Sequence, residues 1–515
     1  MAESGARKWI IVVTVVLSAM IELIDTTIVN VSLPQMMGNL GATLDEIAWV
    51  VTSYVFANVI VLPMASWLSA VLGRRNYFAG SILLFTVASF FCGHASSLWE
   101  LVLFRFLQGA GGGGLMSTSQ SILVETFPPE ELGLATGLFG LGVVIGPTVG
   151  PTLGGWITDN FSWPWIFYVN LPIGALAMVM TLLFIRDPRE EREVGGVDWW
   201  GILLLVVGVG ALQVVLDRGQ RDDWFAAPYI TALTIVAAVG IAAFIWWELK
   251  TKHPVVDLRV LRNRSLAVGT FFTFIHGFGL YASQFIFPVF VQHLLGFTAL
   301  QSGLLMLPSS LTAAAMMPLA GRLIRRGFPP QLMLVFGFIS FFAFTWMLSQ
   351  STLASGQADF FWPLILRGFG LSLLFVPFTT LALSELSAQD VHQATGLTNM
   401  MRQLGGSFGV AVIATFVQYR SWEHRQDMLR YVTPFDFALR QRLSMIIHGL
   451  MARGSSFVEA QRQAYAAIEG IVTRQSFLLT YMDAFRIVGV FFICCMPLLL
   501  LFKTRRGPVV VPAAH

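Results

Sequence analysis

The sequence predicts an all-α membrane protein in which two six-helix bundles flank an inserted pair of helices, fourteen spans in all. Composition, a recurrence of long apolar segments and an internal repeat carry that expectation. Of 515 residues, 56% are hydrophobic and 12% charged, with a net charge of +3. A soluble domain carries about 25% charged residues, so this chain has too little polar surface to clothe a globule in water and suits a surface that faces lipid. So small a net charge gives no reason to expect nucleic acid as a partner.

Mostly apolar segments, each long enough to cross a hydrocarbon core of ~30 Å as a helix, lie near 10–33, 47–69, 77–94, 98–120, 132–156, 164–185 and 198–216. They continue near 228–249, 265–291, 299–320, 331–349, 359–384, 394–417 and 478–502. The first follows Arg7-Lys8 and precedes no small-residue cleavage site, so it reads as a span and not as a removable leader. With the N-terminus inside, eighteen Lys and Arg, among them Arg74, Arg75, Arg322 and Arg506, fall in cytoplasmic segments. Only Arg218 and Arg221 fall in short outer loops. Both termini are therefore expected in the cytoplasm. The three cysteines, Cys92, Cys494 and Cys495, sit in apolar runs without disulfide or metal spacing, and no metal site is expected.

The repeat pairs Pro63-Met64-Ala65-Ser66-Trp67-Leu68 with Pro318-Leu319-Ala320-Gly321-Arg322-Leu323, each closing an even-numbered span ahead of basic residues. Arg105 in the fourth segment has a counterpart in Arg367 in the twelfth. Such duplication marks a two-bundle transporter and divides the chain into a first bundle at 1–190, inserted helices at 191–262 and a second bundle at 263–515. Residues 418–477 are the one long polar excursion. Phe437–Met451 has helical periodicity and Ser456-x-x-Glu459 is a capping box for a second helix, so a helical hairpin outside the membrane is expected.

Charge at membrane depth is the informative signal, because it costs several kcal/mol unless paired or hydrated. Glu22 and Asp25 lie three residues apart in the first segment and share a face. Asp25 stands ~24 Å along the helix from Trp9 and Arg105 ~10 Å below the outer end of its segment, at similar depth. Asp25 and Arg105 can therefore neutralise one another, and with Glu22 they are the candidate proton-handling residues. The local alternative for Asp25 is a hydrogen bond to Thr26 or Asn30. Arg367, Arg402 and Arg486 read as structural staples. Candidate substrate-binding residues are Glu22, Asn58, Gln120, His276, Tyr281 and Gln284, because a polyspecific pocket needs few polar groups among apolar walls.

Two enzyme-like patterns carry no such meaning. Gly109 to Gly114 matches a dinucleotide loop but lies in an apolar helix with no strand before it. Gly405-Gly406-Ser407-Phe408-Gly409 matches a nucleophile elbow without strand, turn or histidine partner. Both read as small faces for close helix packing, as does Gly142-x-x-x-Gly146-Pro147-x-x-Gly150-Pro151-x-x-Gly154-Gly155, whose prolines permit bending. Gly146, Pro147, Gly150 and Pro151 are candidate gating residues, with Gly73, Arg74 and Arg75 in the second loop.

Along nearly its whole length the chain resembles the EmrB-type drug:proton antiporters, the fourteen-span branch of the major facilitator superfamily. Leu23-Ile24-Asp25-Thr26-Thr27-Ile28-Val29-Asn30-Val31-Ser32-Leu33-Pro34 is similar to that branch's first-span motif, whose Asp is taken as proton acceptor. Leu101 to Gly109 resembles the superfamily's fourth-span motif, with Arg105 and Gln108. Gly142 to Gly155 resembles the antiporter motif. Leu216-Asp217-Arg218-Gly219 and Pro254-Val255-Val256-Asp257-Leu258 flank the inserted pair as in EmrB-like proteins. The second loop departs from the pattern, with Ala70 where an Asp normally precedes the basic pair.

The resemblance implies a major facilitator fold in a bacterial inner membrane and efflux of small amphipathic drugs against protons. It implies no cofactor beyond the proton gradient, and no enzyme activity. It also implies a periplasmic adaptor and an outer-membrane channel as partners, with 418–477 suited to the adaptor. The alternative on the same fold is a dedicated exporter of one metabolite, fatty acid or siderophore.

Overall fold

A computed structural model describes residues 6–501, apart from 128, 187–197, 253, 384–385, 387 and 434. Helices account for nearly all of it, and no strand occurs among the described residues. The first half contains α1 (Ala6–Leu40), α2 (Leu44–Ile47), α3 (Trp49–Leu72), α4 (Arg74–His94), α5 (Leu98–Gly112), α6 (Leu115–Thr126), α7 (Pro129–Asn160), α8 (Trp165–Tyr168) and α9 (Asn170–Phe184). Next come α10 (Trp199–Arg218) and α11 (Pro228–Lys250). The second half contains α12 (Arg264–Val289), α13 (Ala299–Arg325), α14 (Pro330–Leu348), α15 (Gln357–Leu383), α16 (Ala388–Leu429), α17 (Phe437–Met451) and α18 (Phe457–Cys495).

Helix starts follow local chemistry. Side-chain oxygens of Ser97, Asp198, Asn263, Thr298, Asp436 and Ser456 accept from the first-turn amides of α5, α10, α12, α13, α17 and α18, satisfying donors that have no partner within a helix. Gly73, at φ +80, lets α3 turn directly into α4, a conformation that costs other residues dearly. Ser456 receives the Glu459 amide, the first of the two bonds of the expected capping box.

Among the described residues, eleven helices are long and apolar enough to cross a membrane. The three remaining apolar segments, 47–69, 98–120 and 132–156, are helical as well, on α3, on α5 with α6, and on α7. Segment 98–120 is not one helix. Gly113 and Gly114 form a turn between α5 and α6, where two glycines in succession weaken the helix. α7, by contrast, runs unbroken through Pro147 and Pro151.

The polar excursion holds the expected helical hairpin, α17 against the start of α18, but joined to the spans on either side. α16 continues past 417 to Leu429, and α18 is a single helix of 39 residues that begins far outside the last apolar segment. The hairpin is thus an extension of two membrane helices, with α17 packed on the outer part of α18. Hydropathy stops at the lipid boundary, whereas helical hydrogen bonding continues wherever propensity and packing allow.

Packing separates two groups of helices. In the first half α1 lies on α7, α9 and α6, while α5 lies on α3 and α4. In the second, α12 lies on α16 and α15, and α15 on α13 and α14. The contacts repeat in detail: a Cβ on Gly109 or Gly111 of α5 would meet the backbone of Tyr54 or Phe85, and one on Gly368 or Gly370 of α15 that of Ser309 or Phe341. The halves meet along two seams, α7 with α13 and α3 with α16. The inserted α10 and α11 touch through Gly208 and Gly240, and α10 also lies on α3 and α16. Rows of exposed apolar side chains such as Leu83, Leu103, Leu183, Val239 and Leu311 face outward, as a surface bathed in lipid requires.

Candidate coupling and substrate site

Asp25 of α1 is completely buried, with both carboxylate oxygens occupied. Its Oδ2 accepts from Arg105 Nη1 at 2.5 Å. Its Oδ1 accepts from Gln108 Nε2 at 2.8 Å and from Asn170 Nδ2 at 2.9 Å. Arg105 is 1% exposed. It donates from Nε to the Val50 carbonyl at 3.1 Å and from Nη1 to Gln108 Oε1 at 2.7 Å. Its guanidinium lies 4.2 Å from the centre of the Tyr54 ring. Gln108 also donates to Ser89 Oγ at 2.7 Å. Five helices, α1, α3, α4, α5 and α9, therefore converge on one network centred on this carboxylate.

This geometry brings together the pair expected from depth and removes the local alternative. Thr26 donates to the Leu23 carbonyl and Asn30 to that of Thr26, not to Asp25. Two opposite charges out of water hold together only when the remaining donors and acceptors are also satisfied, and Gln108, Asn170, Ser89 and Val50 supply those bonds. The arrangement has a direct chemical consequence: a proton on Asp25 cancels the charge that Arg105 faces and removes an acceptor that three side chains share. Protonation and helix arrangement are thereby tied together. Asn170 and Ser89 went unmarked in the sequence, because neutral polar residues occur throughout membrane helices. Gln108 is marked in the sequence only by the resemblance of Leu101 to Gly109 to the fourth-span motif.

The antiporter motif sits immediately behind this carboxylate. On α7, Gly146 packs on Leu23, Gly150 on Thr27 and the Ile24 carbonyl, and Gly154 on the Ile28 carbonyl. The glycines are what let α7 lie against the turn of α1 that carries Asp25. At the end of the bundle where α3 turns into α4, the second loop braces the first bundle. Arg74 forms an ion pair with Glu125 and donates to the Arg186 carbonyl at 2.9 Å. Arg75 reaches the Leu182 carbonyl at 2.6 Å and Arg7 that of Phe184 at 2.8 Å. Three arginines thus sit on the C-terminal end of α9, where unpaired carbonyls and the helix dipole favour cations.

The candidate substrate residues fall into two places. Glu22 faces the second half, its Oε1 accepting from Asn58 Nδ2 at 3.0 Å and its Oε2 buried without a partner. Gln120 of α6 accepts from Asn399 of α16 at 3.1 Å, a bond across the two halves. His276 is buried beside Phe375 with both ring nitrogens unpartnered. Tyr281 donates to Gln403 at 3.2 Å. Gln284 stands apart, its amide oxygen held by Arg367 Nη2 at 2.9 Å. Arg367 also donates to Ser283 and Ser309, both at 3.0 Å, which makes it the staple expected of it.

Arg402 is not a staple within one bundle. It donates to Asn399 and crosses the seam to the Met116 sulfur of α6 at 3.1 Å. A lone sequence does not show which face of a helix an arginine takes. No group of His, Cys, Asp and Glu able to hold a metal occurs among the described residues.

A duplicated bundle of membrane helices with an ion pair buried in one half defines the class as a multi-pass membrane transporter. The profile of the Major Facilitator Superfamily matches residues 15–410. The fatty acid resistance protein FarB of Neisseria gonorrhoeae is 33% identical over 97% of this chain and 97% of its own. The multidrug export protein EmrB of Escherichia coli K12 is 32% identical over 98% and 97%. The crystal structure of the human organic anion transporter MFSD10 shares the fold at a TM-score of 0.58 and 13% identity, covering 95% of this chain and all of that one. The chain belongs to the Major Facilitator Superfamily, in its EmrB-type branch, and is a transporter and not an enzyme.

Proposed function

We propose that this protein exports amphipathic drugs in exchange for protons, using the proton gradient and no cofactor. The observation that carries the reading is the fully ligated Asp25, bound by Arg105, Gln108 and Asn170 in a site closed to water. An intramembrane acid of this kind marks a proton path. Relatives named for multidrug export and for colistin resistance support the drug class. In this reading the chain lies in the bacterial inner membrane with fourteen spans and both termini cytoplasmic. Its bundles are 1–190 and 263–515, with the inserted pair at 191–262. Asp25, Arg105 and Glu22 handle protons. Glu22, Asn58, Gln120, His276, Tyr281 and Gln284 meet substrate. Gly146, Pro147, Gly150 and Pro151 serve the gate, together with Gly73, Arg74 and Arg75.

Purified protein in proteoliposomes is expected to move a dye when a pH gradient is imposed and to stop when an uncoupler collapses it. Transport indifferent to the uncoupler sinks the reading. A dedicated exporter of one fatty acid is favoured by the similarity to FarB. In that case a single fatty acid competes for transport and unrelated dyes do not.

The extension formed by α16, α17 and α18 is proposed to meet a periplasmic adaptor, which joins the protein to an outer-membrane channel. Arg425 pairs with Glu469 at 2.7 Å, and Arg420 and His424 both reach Asp483 at 2.9 Å, bracing its base. Its far end exposes Tyr431, Phe435, Phe437 and Val458, an apolar group suited to a partner. Replacing residues 430–456 with a short linker is expected to leave proteoliposome transport intact and to abolish drug resistance in cells. Full resistance in that variant removes the adaptor role.

A further inference from the structure

Two buried charges at the seam are not joined as Asp25 and Arg105 are. Glu22 and Arg402 are each 4% exposed and come from opposite halves. Their hydrogen-bond partners are neutral: Asn58 for Glu22, Asn399 and the Met116 sulfur for Arg402. They lie within electrostatic reach of one another, yet among the described residues no ion pair joins them. Around them, Glu22 Oε2 and both nitrogens of His276 have no hydrogen-bond partner. The Phe375 ring, 5.5 Å from the Arg402 guanidinium, and Met116 add an apolar wall. Buried polar atoms are nearly always paired, and those left over call for a ligand or another explanation.

We infer that Glu22 and Arg402, one from each half, form opposed subsites that set the charge class of the transported molecule. Glu22 receives a cationic head and Arg402 an anionic one, with the apolar body against Phe375 and Met116. The inference rests on the transport function proposed above and assigns charge selectivity to this pair. The division of labour follows from saturation at the carboxylates: both oxygens of Asp25 are occupied, whereas Glu22 Oε2 at the seam has no partner. Removing one charge leaves the other uncompensated, so the two substitutions push selectivity in opposite directions. Specificity is a difference of affinities, and an unmatched charge acts by repelling the wrong ligand as well as attracting the right one.

The test is equilibrium binding of a rhodamine cation and a fluorescein-type carboxylate dye to the full-length protein in nanodiscs, with no pH gradient. Glu22→Gln is expected to shift the affinity ratio about tenfold toward the anion, and Arg402→Gln about tenfold toward the cation. The double variant is expected to return near the wild-type ratio. Glu22→Asp and Arg402→Lys keep the charges and are expected to keep the ratio, which separates charge from folding. If either glutamine variant fails to fold, the other decides. Ratios unchanged in a folded glutamine variant, or both dyes weakened equally, overturn the inference alone. Binding of neither dye by the wild type overturns the drug reading and the inference together.

Discussion

Replacing Asp25 with Asn is expected to abolish transport driven by a pH gradient while leaving exchange of substrate across the membrane. The amide has the carboxylate's shape but cannot ionise, and it fits the site badly. Arg105 donates to one oxygen and Gln108 and Asn170 to the other, so the new NH2 group faces a donor whichever way it is turned. Arg105 also loses its counter-ion in a site it cannot leave. Breaking a buried pair from one side costs about 3–5 kcal/mol, so a drop in thermal stability is expected as well. Asp25→Glu keeps the charge and is expected to retain gradient-driven transport at a reduced rate. Counterflow of labelled substrate, which needs no net proton movement, separates coupling from folding. Undiminished gradient-driven uptake by Asp25→Asn would show that the proton is carried elsewhere.

The second large effect is expected from adding a single methyl group. A Cβ on Gly109 would lie 2.2 Å from the Tyr54 carbonyl oxygen, and a backbone atom cannot swing aside as a side-chain end can. Gly109→Ala therefore forces α5 away from α3. Arg105, one turn away, holds α3 through the Val50 carbonyl, so the coupling network loses its alignment along with the packing. Overpacking costs about 1–3 kcal/mol and occasionally more. Gly80, on α4 with open space where its Cβ would lie, provides the control. There alanine is expected to stabilise, because glycine in a helix is about 1 kcal/mol less favourable. Thermal melting of the two variants should move in opposite directions. A Gly109→Ala protein as stable and active as the Gly80→Ala protein would disprove the close contact.

The apolar segments and the Asp25–Arg105 pair were legible for one reason: a charge in lipid is conspicuous, and so is a long stretch without one. What surrounds that pair was not. Asn170 and Ser89 are neutral, and only the three-dimensional path of α4 and α9 brings them to Asp25. Arg402 carried the same conspicuous charge as Arg105 but offered no acid at matching depth within its own half, so it passed for a staple. One of its partners, Met116, lies across the seam, which periodicity within one helix does not report. The break at Gly113 and Gly114 and the length of α16 and α18 were hidden for a related cause. Hydropathy measures what a residue prefers to touch, not whether the helix continues.

The position of α10 has an effect beyond joining the halves. Asp217 accepts from Thr52 of α3, and Arg218 lies 4.7 Å from the Trp49 ring. On the other side Gln213 accepts from Ser407, Gln220 donates to Gln418 at 2.5 Å, and Trp224 donates to Thr415 at 3.0 Å, all on α16. The inserted pair therefore makes the two seams of a duplicated molecule unlike. The seam between α3 and α16 is covered by α10 and strapped to it from both sides, whereas α7 and α13 pack directly on one another, Gly137 against the Pro318 backbone and Gly303 against Thr152.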